Sequence, residues 1–148
     1  MAVTMEWKNA AELLGRMRTL QFAVKEKIGY AGAYAGAKVL RDAAQAQAAS
    51  NGSIDTGSMI GNIATAREKG GSGDGRYQYT IGVRHGTRKQ RKEDDDPWYW
   101  WFVEFGTAKQ AAKPFITPMF ESSGVRNEML ARVALTVERG IKRNTPKE

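Results

Sequence analysis

The chain has no cysteine, which excludes disulfides, thiolate metal sites and cysteine nucleophiles and permits a reducing compartment. It has a single histidine, His85, so one chain cannot assemble an imidazole cluster and zinc lacks its usual ligands. Neither a structural metal nor a cofactor is expected. No apolar run approaches the roughly 20 residues of a membrane span. The opening residues 1–8 also lack the charged-then-apolar order of a signal peptide, so a soluble protein that stays where it is made is expected. The 148 residues suit one domain, 1–148, able to bury about two thirds of the surface of the unfolded chain.

What the chain does have is positive charge, +7 formally, and that raises nucleic acid as a partner because neutralised phosphates supply most non-specific affinity. The basic residues do not gather into one stripe. They are spread over Arg16, Arg18, Lys25, Lys27, the segment 88–92, and Arg126, Arg132, Arg139, Lys142 and Arg143. A face reading nucleic acid interleaves aromatics with its charges, whereas the aromatics here sit where charges are few.

Apolar residues recur at Met17, Leu20, Val24, Ile28, Ala31, Ala35, Val39, Ala43 and Ala46, steps of three and four that predict a helix over 17–49. Gly29, Gly32 and Gly36 within it suggest a groove for close approach of another backbone. The sequence Ser50-Asn-Gly-Ser53 stops the helix, and a shorter helix over about 9–18 precedes it. The period then changes to two. Tyr77, Tyr79, Ile81 and Val83 alternate with polar or small residues as in a half-buried strand, and an earlier strand over about 61–68 reaches it through a hairpin tip at 70–75. The glycines of that tip lack the following helix start and Lys-Ser/Thr pair of a phosphate loop.

Residues 86–97 juxtapose basic Arg88, Lys89, Arg91 and Lys92 with acidic Glu93 to Asp96, which reads as a charged loop. It is either a solvated connection or a projection that orders against a neighbouring subunit or DNA. A last helix carries Val125, Met129, Val133, Val137 and Ile141 on one face. Thr117 and Pro118 read as its cap and first turn, Glu121 sits near its positive end, and 143–148 form a frayed tail. The fold class expected is α+β: a long N-terminal helix and a C-terminal helix packed on a small antiparallel sheet.

One stretch of twenty-three residues, 98–120, holds eight of the fourteen aromatics in the chain. It runs Trp98, Tyr99, Trp100, Trp101, Phe102, Val103, Glu104, Phe105, Gly106, Thr107, then Lys113, Pro114, Phe115, Ile116, Thr117, Pro118. Such a block is core or a surface for a partner, because large aromatics dominate interface energetics. If extended, only Trp98/Trp100/Phe102 or Tyr99/Trp101/Val103 can face inward; a one-turn helix is the alternative. Glu104 among the aromatics either has a raised pKa or, more in keeping with the cost of a bare buried charge, accepts backbone amides or pairs with an arginine.

Asp55-Thr56-Gly57-Ser58 matches the tetrapeptide at the catalytic aspartate of aspartic proteases, where two carboxylates share a proton. There the motif leaves an apolar strand and meets a second copy; here it follows an Ala/Gln-rich helix. The structural reading is that Asp55 or Thr56 caps a short turn, with Gly57 in a conformation other residues resist. His85 has no nucleophile paired with it in the sequence. No catalytic group is assigned.

Four signatures in order, Asp55 to Ile63, Thr80 to Val83, Trp100 to Thr107 and Lys113 to Pro118, resemble those of a long-tailed phage neck family. It is the gene-product-ten type of lambdoid phages, also described as neck, tail-completion or minor tail component. The resemblance runs from about Leu20 to Val137, and the last two signatures carry most of it. It implies a non-enzymatic virion protein that joins the DNA-filled head to the tail as part of a homo-oligomeric ring around the DNA channel. The implied partners are copies of itself, head-completion or connector proteins, tail-terminator or tail-tube proteins, and packaged DNA. The chain departs from the family pattern in its 86–97 insertion, its tryptophan-rich block and Thr117-Pro-Met119, where the family tends towards Arg-Pro-Ala. Two other readings stand beside it: a small basic nucleic-acid-binding protein, and an aspartyl hydrolase centred on Asp55.

Overall fold

The computed structural model describes residues 10–52, 57–68, 76–84 and 96–145. In order these form α1 (Ala10–Ala23), a π-helical turn (Val24–Ile28), α2 (Gly29–Ser50), α3 (Ser58–Asn62), β1 (Ile63–Arg67), β2 (Tyr79–Val83), α4 (Trp100–Phe105), α5 (Thr117–Glu121) and α6 (Ser123–Asn144). The class is α+β, mostly helical, with long N- and C-terminal helices and a two-stranded antiparallel sheet.

The two N-terminal helices expected from the sequence are one run, with the π turn rather than a break between α1 and α2. The Tyr77 hydroxyl donates to the carbonyl of Lys25 at 2.7 Å, so the wider turn keeps a partner for an acceptor the normal ladder would have used. The buried face also differs from the apolar spacing. Met17, Ala31 and Ala46 are exposed, whereas Ala23, Ile28, Gly32, Gly36, Ala37, Val39, Ala44 and Ala48 are buried. In so Ala- and Gly-rich a helix the apolar contrast between faces is small, and neighbours on more than one side decide what is covered.

The first of those neighbours is α6, which runs antiparallel to α2. A β-carbon on Gly32 would lie 2.9 Å from Val137, and one on Gly36 would lie 2.8 Å from Val133, so the absent side chains set the spacing of the pair. Gly29 belongs to another contact, its would-be β-carbon overlapping the Tyr77 ring. The expected α6 face holds at Val125, Met129, Val133 and Val137, which are half-buried, while Ile141 is exposed.

The second neighbour is the hairpin. Ile63 pairs with Val83, Thr65 with Ile81 and Arg67 with Tyr79. Residues 61 and 62 end α3 instead of opening the strand, and Gly57 precedes that short helix at φ 72°, the left-handed conformation expected of it. The hairpin tip 70–75 lies outside the described residues, as do Asp55, Thr56 and His85.

The apolar core gathers Ala44 and Ala48 of α2, Met59, Ile63, Val83, Phe115 and Met119. Around it the start of the last helical region differs from expectation. Thr117 and Pro118 open the separate five-residue α5, and it is Ser122 that caps α6, its Oγ accepting from Val125 N. Glu121 ends α5 one residue before that cap. Helix α6 extends through Asn144, past the point where fraying is expected.

Candidate functional site

The aromatic block is helical, not extended. Pro97 is buried, its carbonyl accepts from Trp100 N at 3.1 Å, and α4 follows for little more than one turn. Helical geometry puts Tyr99, Trp100 and Val103 together against the core, with Glu104 beside them. Neither extended set therefore shares a face. The remaining aromatics point outward: Trp98 is 64% exposed, Trp101 55%, Phe102 44% and Phe105 58%. They stand in edge and tilted pairs, Trp98 with Phe102 at 5.9 Å and Trp101 with Phe105 at 4.5 Å between ring centroids.

Glu104 makes this turn rigid. Its side chain is 4% exposed, and no arginine reaches it among the described residues. One carboxylate oxygen, Oε2, accepts from Phe115 N at 2.8 Å and Ile116 N at 3.0 Å. The other, Oε1, accepts from Thr117 N at 2.9 Å and Thr117 Oγ1 at 2.7 Å. The carboxylate thus satisfies successive amides leading into α5, and the Thr117 hydroxyl serves it instead of capping a helix. Desolvation pushes the Glu104 pKa up, but the bonds from Ile116, Phe115 and Thr117 together outweigh it and hold the carboxyl below its ordinary value. The amide-accepting alternative holds, and the raised pKa does not.

The connection between α4 and α5 is tied at further points. Gly106 takes φ 75° and ψ 179°, with a would-be β-carbon 2.7 Å from Ala112 N. Thr107 forms a bridge with Gln110 and its Oγ1 accepts from the Lys109 and Gln110 amides. Asn51 Nδ2, at the end of α2, donates to the Pro114 carbonyl at 2.8 Å. Phe115 is fully buried and Pro118 lies in the first turn of α5. Asn51 carried no such role in the sequence, where it reads only as a helix stop, because its partner lies sixty-three positions away.

The structure thus gathers the residues from Trp98 to Pro118 into one braced platform, whose inner side is core and whose outer side is aromatic. Arg88, Lys89, Arg91, Lys92 and the motif residues Asp55 and Thr56 lie outside the described residues. Also unforeseen is the exposure of Leu13, Leu14, Met17 and Phe22 on α1. Among the described residues no group of three or more acidic or histidine side chains could hold a metal ion. A groove of about 390 Å³ between α2 and α6 is lined by Lys38, Asp42, Glu128 and Arg132, two charges of each sign that favour no class of ion. No helix of the described residues is long and apolar enough to cross a membrane.

No family model, curated protein or solved structure matches the chain.

Proposed function

We propose that this chain is a structural virion protein of a tailed phage or prophage, a neck or tail-completion component that joins head to tail within a ring around the DNA channel. It acts by docking and not by catalysis. Its partners are copies of itself, the head-completion or connector protein above and the tail-terminator or tail-tube protein below. Made in the host cytoplasm, it ends in the virion, where its net positive charge suits non-specific contact with packaged DNA.

The observation that carries this reading is the outward face of α4 and of the turn that leads into it: Trp98, Trp101, Phe102 and Phe105 are left 44 to 64% exposed beside a buried carboxylate that ties the segment down. Clustered exposed aromatics mark a surface for a partner. Rigid presentation lowers the ordering cost of binding. The motif resemblance across Trp100 to Thr107 and Lys113 to Pro118 supplies the kind of partner.

The test is electron microscopy of particles from the parent phage with this gene deleted in frame. DNA-filled heads beside unattached or aberrant tails are expected. Intact, infectious, tailed particles would refute the reading.

A further inference from the structure

Helix α1 leaves the body of the molecule with most of its apolar side chains uncovered. Leu13, Leu14 and Met17 are 50, 53 and 59% exposed, and at 100° per residue they fall within about 100° of arc. The 2.6 Å ion pair of Glu12 and Arg16 lies along one edge of this stripe and Arg18 along the other. Among the described residues Phe120, Leu130, Leu135 and Ile141 are exposed as well, spaced five residues or more apart, whereas the α1 stripe and the α4 aromatic face each place three or more exposed apolar side chains within eight residues.

We infer that the α1 stripe of one copy docks on the α4 aromatic face of the next, head to tail. The inference rests on the ring reading above and names the surfaces that build the ring. Within one copy the two lie at different points of the N-terminal helical run. Met17 and Ala44, the latter part of the core beneath Tyr99 and Trp100, are twenty-seven residues apart on a continuous helical run, about 40 Å at 1.5 Å per residue. Two different surfaces at opposite ends make a heterologous contact, the kind that closes into a ring when the rotation permits. The chemistry is complementary: flexible leucine and methionine side chains adapt to fixed aromatic rings, and a thioether packs well on an indole.

Area favours the same arrangement. At their exposures the four aromatics offer roughly 400–500 Å², short of the roughly 800 Å² per partner of a stable pair. A symmetric α4-to-α4 dimer would stop at that area and leave α1 bare. In a ring each copy buries both surfaces, so closure secures contacts that are weak singly.

The absence of native cysteine makes the test clean. Full-length Met17→Cys and Phe102→Cys proteins are mixed, treated with a short bismaleimide, and the linked peptides identified by mass spectrometry. An Ala131→Cys protein, whose cysteine is exposed on α6 about 200° round from Val133, the residue that faces α2, sets the random background. The expected result is 17-to-102 linkage at least about tenfold above background, falling back to it when Trp101→Asp is added to the Phe102→Cys copy. Linkage at background, or 102-to-102 linkage in excess of 17-to-102, would overturn the inference. Either failure leaves the neck reading to the deletion phenotype, which tests it separately.

Discussion

Replacing Glu104 tests the platform most directly, because four hydrogen bonds end on one buried carboxylate. In Glu104→Ala the amides of Phe115, Ile116 and Thr117 lose their acceptor. A buried unsatisfied donor costs about 1–3 kcal/mol, and water can reach the less buried two, so a loss of about 3–5 kcal/mol is expected. Glu104→Gln is the sharper variant. Its amide oxygen can serve one pair of donors, but its NH₂ then faces either the Phe115 and Ile116 amides or the Thr117 amide, donor against donor. About 2 kcal/mol is expected. The pH dependence follows from the lowered pKa of Glu104. A carboxyl whose folded pKa lies below its unfolded one adds stability above the unfolded value, about 4.3, and loses it as pH falls through the folded value. Urea unfolding followed by tryptophan fluorescence and circular dichroism should therefore show wild type ahead of Glu104→Gln at pH 7, with the gap closing in acid. A glutamine variant as stable as wild type at neutral pH, or a gap indifferent to pH, would refute the account of Glu104 as a charged brace.

Gly106→Ala puts a side chain at φ 75° and a β-carbon 2.7 Å from Ala112 N, so it should cost about 2–3 kcal/mol in urea unfolding. Gly36→Leu should separate α2 from α6, whose Val133 already lies 2.8 Å from where a β-carbon would stand, and lower the melting temperature. Gly15→Ala, with nothing within 4 Å, should raise stability by about 0.5–1 kcal/mol. Equal effects at the two glycines would contradict the packing described for α2. Trp101→Ala, at a position 55% exposed, should leave the urea midpoint nearly unchanged yet reduce infectious particle yield in complementation; full yield would count against the aromatic face as a docking surface.

The helices and strands were legible where period and punctuation agreed. The α6 face stands at four-residue steps, and Ser50 ends α2 with Gly52 at φ 64° just beyond. The π turn was not legible, since nothing local distinguishes Val24–Ile28 from ordinary helix; the distant Tyr77 hydroxyl meets it there. In the aromatic block the residue types marked the site, but period alone could not choose between strand and helix over six residues. Which rings face inward depends on Ala44, Ala48 and Phe115, residues the block itself does not contain. Met17, set by its spacing on the apolar face of the long helix, stands exposed on α1 for a related reason: apolar spacing marks a face that wants cover without saying which molecule provides it.

The spacing of the Glu104 bonds also bears on the order in which the chain acquires its structure. The carboxylate reaches donors only eleven to thirteen residues ahead, a short loop whose closure costs little entropy, and the floor beneath it belongs to α2, already made by then. The α2 and α6 pairing joins Gly32 to Val137, more than a hundred residues away, and waits until α6 has been made. Pulse-labelled hydrogen exchange during refolding should accordingly protect the Phe115 and Thr117 amides before the amides of α6. A nascent chain on this route displays its aromatic face before its C-terminal clasp is closed.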